Sequence, residues 1–271
     1  VSSYRKISAG AARVGIVPRL GLVLWLIAAL SLPSASLRAQ GAAAPEGYVR
    51  PEFARLMADL RPQILSSAAR HNRPADTGMS DREFAAVIAQ LLYNEHFGWA
   101  EDLVPLLQHA TPTYQELQRL VNVSGVGTDF SVWPANLRPS VAAEIVRGEV
   151  PLADGGTLSL PTRISGSGLD PAALPAERDL RLQLSREIAE PQLAVEYLAA
   201  NLARGARRAR HEGVTVDWQV LAAWHNRGIV DPALSAVDPA AGHYLSRAAG
   251  YRAAALRLID QTSAAPPATA V

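Results

Sequence analysis

The sequence predicts a mainly α-helical fold. Apolar residues recur at the helical period in successive runs, and Pro or Gly sits where those runs begin and end. No convincing set of strands and no internal repeat accompanies them. At 271 residues and 49% hydrophobic composition, the chain can bury one large core or two small ones. A formal charge of +1 lacks the basic excess of a dedicated nucleic-acid binder, so no nucleic-acid partner is expected. Lys6 is the only lysine and alanine is abundant, which reads as coding bias and not as a binding signal. With no Cys, disulfides and thiolate metal sites are excluded.

Residues 1–40 read as a targeting segment. Arg5, Lys6, Arg13 and Arg19 form a basic stretch, and Leu20 to Leu32 is an uncharged apolar run. A membrane span needs about 20 such residues, so the run suits a signal peptide, with an uncleaved signal anchor as the alternative. Small residues follow at Ser34-Ala35-Ser36 and Leu37-Arg38-Ala39, as a cleavage site requires. Export is the expected localisation: periplasm, cell envelope or outside the cell. Membrane contact is expected only through this segment.

Residues 41–79 are expected to hold a linker and a first helix, Pro51 to Ala69, with Pro62 as a kink or boundary and 71–77 as a loop. Ser80 and Glu83 form an S-x-x-E capping box that opens the next helix. Phe84, Ile88, Leu91 and Leu92 define its apolar face. Glu101 to His109 is a short amphipathic segment, and Thr111-Pro112 reads as the cap and first residue of a helix reaching about Val121. A Gly-rich stretch leads to a short helix, Pro139 to Arg147. Residues 149–170 hold a Gly-Gly turn between short apolar runs, an irregular insertion or small hairpin. Helical periodicity returns from Leu174, and its strongest run is Pro191 to His211. Arg204, Arg207, Arg208 and Arg210 at the end of that run read as a solvated face complementing the helix dipole. Thr215 is the expected cap of a helix that Asn226 and Gly228 terminate. One last helix, about Pro239 to Ile259, precedes a tail over 261–271 that reads as disordered.

Glu95 extends the apolar stripe of the Ser80 helix by one turn. Among Tyr93, Phe97 and Trp99 it would be poorly solvated, which raises a carboxyl pKa and keeps the proton that a general acid needs. The plainer alternative is that the helix frays at Asn94 and Glu95 meets water. Two later segments carry polar turns, Asp129 to Ala142 and Leu221 to Gly228. His96 and His225 have no ligand partner at helical spacing, so no metal and no cofactor is expected. No Ser–His–Asp set, phosphate loop or dinucleotide fingerprint is present.

Taken in order, these segments resemble the lysozyme-like superfamily, specifically a divergent lytic transglycosylase. That family carries a Glu at a helix end, as in LLYNE95; a Ser-x-Gly-x-x-Gln segment, compared here with Ser131-Val-Trp133-Pro-Ala-Asn136; and a later Ala-Tyr-Asn-x-Gly turn, compared with Ala223-Trp224-His-Asn226-Arg-Gly228. The matched region is Ser80 to about Gly228, giving an expected lysozyme-like domain over 80–260. Trp133 stands at the usual Gly and Asn136 at the usual Gln, and 149–170 is extra. The resemblance implies cleavage of the β-1,4 bond between N-acetylmuramic acid and N-acetylglucosamine in peptidoglycan. Glu95 would be the single general acid and base, giving 1,6-anhydro products. Ser131, Trp133, Asn136, Asn226, Trp224 and Tyr93 would be substrate contacts. A hydrolase would need a second carboxylate, for which Asp129 is the candidate and Glu101 and Asp102 are weaker ones. Turn, cap and core roles compete with each of these assignments. A non-catalytic saccharide-binding relative, or an exported helical interaction module, is the alternative function.

Overall fold

A computed structural model describes residues 46–104, 107–123, 129–170, 173 and 176–261. The expected targeting segment, most of the linker, and the tail from 262 lie outside the described residues. The rest is mainly α-helical, in twelve helices among the described residues, with one two-stranded hairpin.

The first helix, α1 (Pro51–His71), starts with Pro at its first turn and runs through Pro62 without ending there. The expected loop after it contains a short helix, α2 (Pro74–Thr77), closed by Gly78 in the left-handed conformation. Helix α3 (Asp81–Glu95) begins at the predicted capping box: Ser80 Oγ accepts from the Glu83 amide, and Glu83 Oε2 accepts from the Ser80 amide at 2.8 Å. The predicted single apolar face is an underestimate, since every residue from Phe84 to Glu95 is buried. This helix is the centre of the core and packs against α1 and the C-terminal helix.

Helices α4 (Gly98–Leu103) and α5 (Leu107–Val123) follow. Thr111 is not the cap of α5. The helix begins a turn earlier, and Thr111 Oγ1 donates to the Leu107 carbonyl at 2.9 Å. Helix α6 (Pro139–Arg147) occupies its predicted span and ends at Gly148, whose φ of +69° favours glycine. The hairpin of the insertion pairs β1 (Glu149–Pro151) antiparallel with β2 (Thr157–Ser159). Helix α7 (Glu177–Glu187) precedes α8 (Pro191–His211), which also matches its predicted run. Asp217, not Thr215, caps α9 (Trp218–Arg227), accepting from the Val220 amide at 2.8 Å. A short helix the sequence reading did not include, α10 (Pro232–Val237), comes next, and the expected single last helix is two: α11 (Pro239–Gly250) and α12 (Arg252–Asp260).

Two polar devices hold this frame. Glu196 of α8 is fully buried, and its carboxylate accepts from Arg70 Nε at 3.0 Å, Gln63 Nε2 at 3.3 Å and the Ser165 amide at 3.1 Å. His71 Nε2 lies 2.8 Å from the same carboxylate and Ser67 Oγ 2.5 Å. These donors hold its pKa far below the usual range against the opposing effect of burial. At the other end, Arg61 of α1 donates from Nε to the Leu258 carbonyl at 2.8 Å and from Nη2 to that of Ile259 at 3.0 Å. A cation there satisfies carbonyls that the end of a helix leaves open.

Candidate active site

Glu95 is the last residue of α3, and three elements converge on its carboxyl. The first is the turn 132–137, closed by the Val132 amide donating to the Leu137 carbonyl at 2.8 Å. Asn136 in that turn has φ +47°, a conformation that Asn tolerates better than most residues. Its Nδ2 donates to Glu95 Oε2 at 2.6 Å. The second is α11, whose Tyr244 hydroxyl donates to Glu95 Oε1. The third is α9, which brings His225 Nε2 to 3.3 Å from Oε1.

The carboxyl faces a groove of about 530 Å³. Ser131, Asn136, Trp224 and Asn226 line it with Glu95, so the sequence-predicted turns meet the helix end in one place. Asn226 is exposed, and the left-handed Gly228 closes α9 just beyond it. Trp224 forms part of the wall, but its indole N–H is committed to the Asn201 carbonyl at 2.8 Å. Arg204 and Arg208 stack over its ring, with centroid distances of 5.7 and 5.5 Å.

Other expectations are corrected. Tyr93 is a core residue, edge-on to Phe53 and stacked with Tyr251, and does not line the groove. Trp133 packs on the core beside Phe53, away from the groove, as a large flat side chain does when apolar neighbours are available. Asp129 is a helix cap: its carboxylate accepts from the Ser140 amide at 2.9 Å and from Ser140 Oγ at 2.6 Å. It is therefore not the second carboxylate of the groove. Glu101 is buried against Arg50 Nε at 3.3 Å, and neither it nor Asp102 lines the groove. Arg204 is not part of a solvated face. It is 1% exposed, donates to the Glu149 carbonyl at 2.7 Å and pairs with Glu144.

The electrostatics also differ from expectation. Burial pushes the Glu95 carboxyl up, but the hydrogen bond and charge of His225, with the Tyr244 and Asn136 donors, outweigh it. The net pKa is lowered, not raised. The apolar residues near Glu95 in sequence are not those facing its carboxyl; polar groups from distant segments are. Desolvation without compensation raises a carboxyl, whereas donors to the charged form lower it. The open groove thus favours the carboxylate.

Sequence reasoning missed Tyr244 altogether and noticed His225 only as a poor metal ligand. Tyr244 and Arg247, three apart on an Ala-rich helix, were the available signal. Phe97, expected beside Glu95 as an apolar neighbour, lines the groove with φ +65°, uncommon for a bulky side chain. Glu144 is the second carboxylate of the groove, and Arg138, Arg208, Arg227 and Arg247 give its walls a cationic character. Two acceptors stand open: the side-chain oxygens of Asn94 and Asn136 are buried and accept no hydrogen bond among the described residues. No group of three His, Asp or Glu positioned to hold a metal ion occurs among the described residues. Compared with family models, curated proteins and solved structures, the chain matches none.

Proposed function

We propose that this protein cleaves the β-1,4 bond between N-acetylmuramic acid and N-acetylglucosamine in peptidoglycan, without water, as a divergent lytic transglycosylase. The observation that carries the reading is the Glu95 carboxyl, set at a helix end in a groove shared with Ser131, Asn136 and Asn226. The chain order of these segments, a helix-end Glu and then two polar turns, is the order on which the family resemblance rests.

In the proposed reaction, protonated Glu95 gives its proton to the glycosidic oxygen as the bond to C1 of the muramyl residue breaks. The oxygen leaves as the 4-hydroxyl of N-acetylglucosamine. The Glu95 carboxylate then takes the proton of the muramyl 6-hydroxyl, O6 bonds to C1, and a 1,6-anhydro ring closes. Glu95 ends as it began. General acid–base catalysis of this kind contributes roughly 10²–10⁴-fold. Asn226, exposed on the groove wall, would meet an acetamido group or a ring hydroxyl.

Incubating the purified protein with peptidoglycan sacculi and separating the products tests this. Anhydro-muropeptides are expected, and Glu95→Gln should lower their rate at least 100-fold, about the lower end of the acid–base contribution. Undiminished cleavage by that variant would remove Glu95 from the chemistry. Glu144 in the same groove supports one second reading, a hydrolase with paired carboxylates. That reading predicts reducing-end products and their loss in Glu144→Gln. Binding without any product would mark a saccharide-binding relative.

A further inference from the structure

The insertion over 149–170 touches the Glu95 groove only through Pro151, yet its second half is firmly fastened. The Ser165 amide donates to Glu196 Oε1 at 3.1 Å, and Ser167 Oγ lies 2.9 and 2.8 Å from the two carboxylate oxygens of Glu187. The stretch from Leu160 to Ser167 is thereby held opposite the end of α1 and the start of α2. Between them lies a second cavity of about 460 Å³, which shares no lining residue with the groove. The hairpin stands between the two: Pro151 of β1 lines the groove, and Leu160, just after β2, lines the cavity.

Three arginines line this cavity, Arg70, Arg73 and Arg163, and no Asp or Glu does. Arg70 is set in place from behind. Its Nε donates to Glu196 Oε1 at 3.0 Å and its Nη2 to Oε2, while Nη1 makes no hydrogen bond among the described residues. Arg73 and Arg163 are exposed and pair with no carboxylate among the described residues. Arg82, Arg147 and Arg257, also exposed, each have a carboxylate partner. The buried carboxylates behind the wall, Glu187 and Glu196, are turned to donors inside the protein. A cleft lined by charges of one sign concentrates ligands of the other.

We propose that this cavity is a second binding site, for a small organic anion held by Arg70, Arg73 and Arg163. Guanidinium groups meet carboxylate or phosphate oxygens two at a time, in a geometry that few other side chains offer. The cavity exceeds the size of a bare ion and falls within the about 300–1,000 Å³ of small-molecule pockets. Pro161, Ile164 and Ala203 give it an apolar wall for the body of the ligand, and the Ser165 side chain adds a hydroxyl beside the charges. The site does not depend on the cleavage proposed for Glu95.

Calorimetric titration of the purified chain at low salt tests this with two probes, N-acetyl-alanyl-glutamate and glycerol 3-phosphate. At least one should bind at one per chain, and the tighter one identifies the oxyanion, carboxylate or phosphate. In Arg73→Gln/Arg163→Gln, whose altered side chains are exposed, affinity should fall at least about 10-fold, the effect of one lost charge-assisted hydrogen bond. In Arg138→Gln/Arg227→Gln, altered in the cationic groove, it should hold. Binding by neither probe, or loss in the groove variant alone, would overturn the proposal. Modification of the wild-type chain by phenylglyoxal, followed by mass spectrometry, needs no variant to fold. The bound probe should slow modification of Arg73 and Arg163 but not of Arg55, which is exposed elsewhere. Equal rates with and without the probe would overturn the site, whatever Glu95→Gln does to cleavage.

Discussion

His96 follows the candidate catalytic residue and shows how differently two neighbouring positions are solvated. Its ring is fully buried and stacked on Phe53, with centroids 4.5 Å apart. Burial pushes its pKa down to about 4 from 6.5. The folded state thus resists a proton that the unfolded chain accepts, so this stabilising contribution is complete above about pH 6.5 and is lost as pH falls toward 4. A shift of that size is worth about 3 kcal/mol. Denaturant midpoints measured across that window should fall for the wild type and stay flatter for His96→Phe, which keeps the stack. Glu95 itself was legible in the sequence because a capping box and a periodic stripe fix where α3 starts and which side its end faces. Its charge state was not. That depends on Tyr244 and His225, which reach the carboxyl only through the tertiary fold.

Helix boundaries were legible wherever a residue has one steric job. Pro139, Pro191 and Gly228 mark ends that the structure keeps. Thr111-Pro112 misled because a threonine hydroxyl bonds equally well to a carbonyl one turn back, and a helix that starts earlier uses it that way. The contact between α8 and α9 was not legible, although Gly205 records it. A Cβ at that position would lie 2.4 Å from Trp224 Cδ1 and 2.5 Å from Cγ. Gly205→Ala must therefore push back the base of the indole, part of the groove wall, or part the two helices. It should cost about 1–3 kcal/mol, as overpacked cores do. Under the proposed function, affinity for a muramyl oligosaccharide should fall with it, and calorimetric titration beside thermal melting would show both. Unchanged affinity would mean that Trp224 gives way without disturbing the wall.

Across the whole molecule, sequence patterns gave the helical class and the insertion, because periodicity and turn residues are local. They could not give which helices meet. Glu196 sits in a run that reads simply as helix, yet it joins α1, α8 and the segment at Ser165 through one carboxylate. Removing that charge leaves Arg70 and the buried His71 without their partner, and breaking a buried pair typically costs about 3–5 kcal/mol. Glu196→Gln should lose about that much near neutral pH. Because the native carboxyl pKa is depressed, its contribution is present above the ordinary Glu value of about 4.3 and fades as pH drops below it. Stability curves of the two proteins should converge in acid; a constant gap would show that packing and not charge is at stake.

The clasp that Arg61 makes on Leu258 and Ile259 has a consequence for how the protein opens. Terminal turns ordinarily fray first and exchange their amide hydrogens fastest. Here the final turn is pinned by a side chain rooted mid-way along the first long helix, some 197 residues earlier. The opening and closing stretches of the described chain should therefore open together, and hydrogen exchange at the end of α12 should slow toward the pace at which α1 lets go.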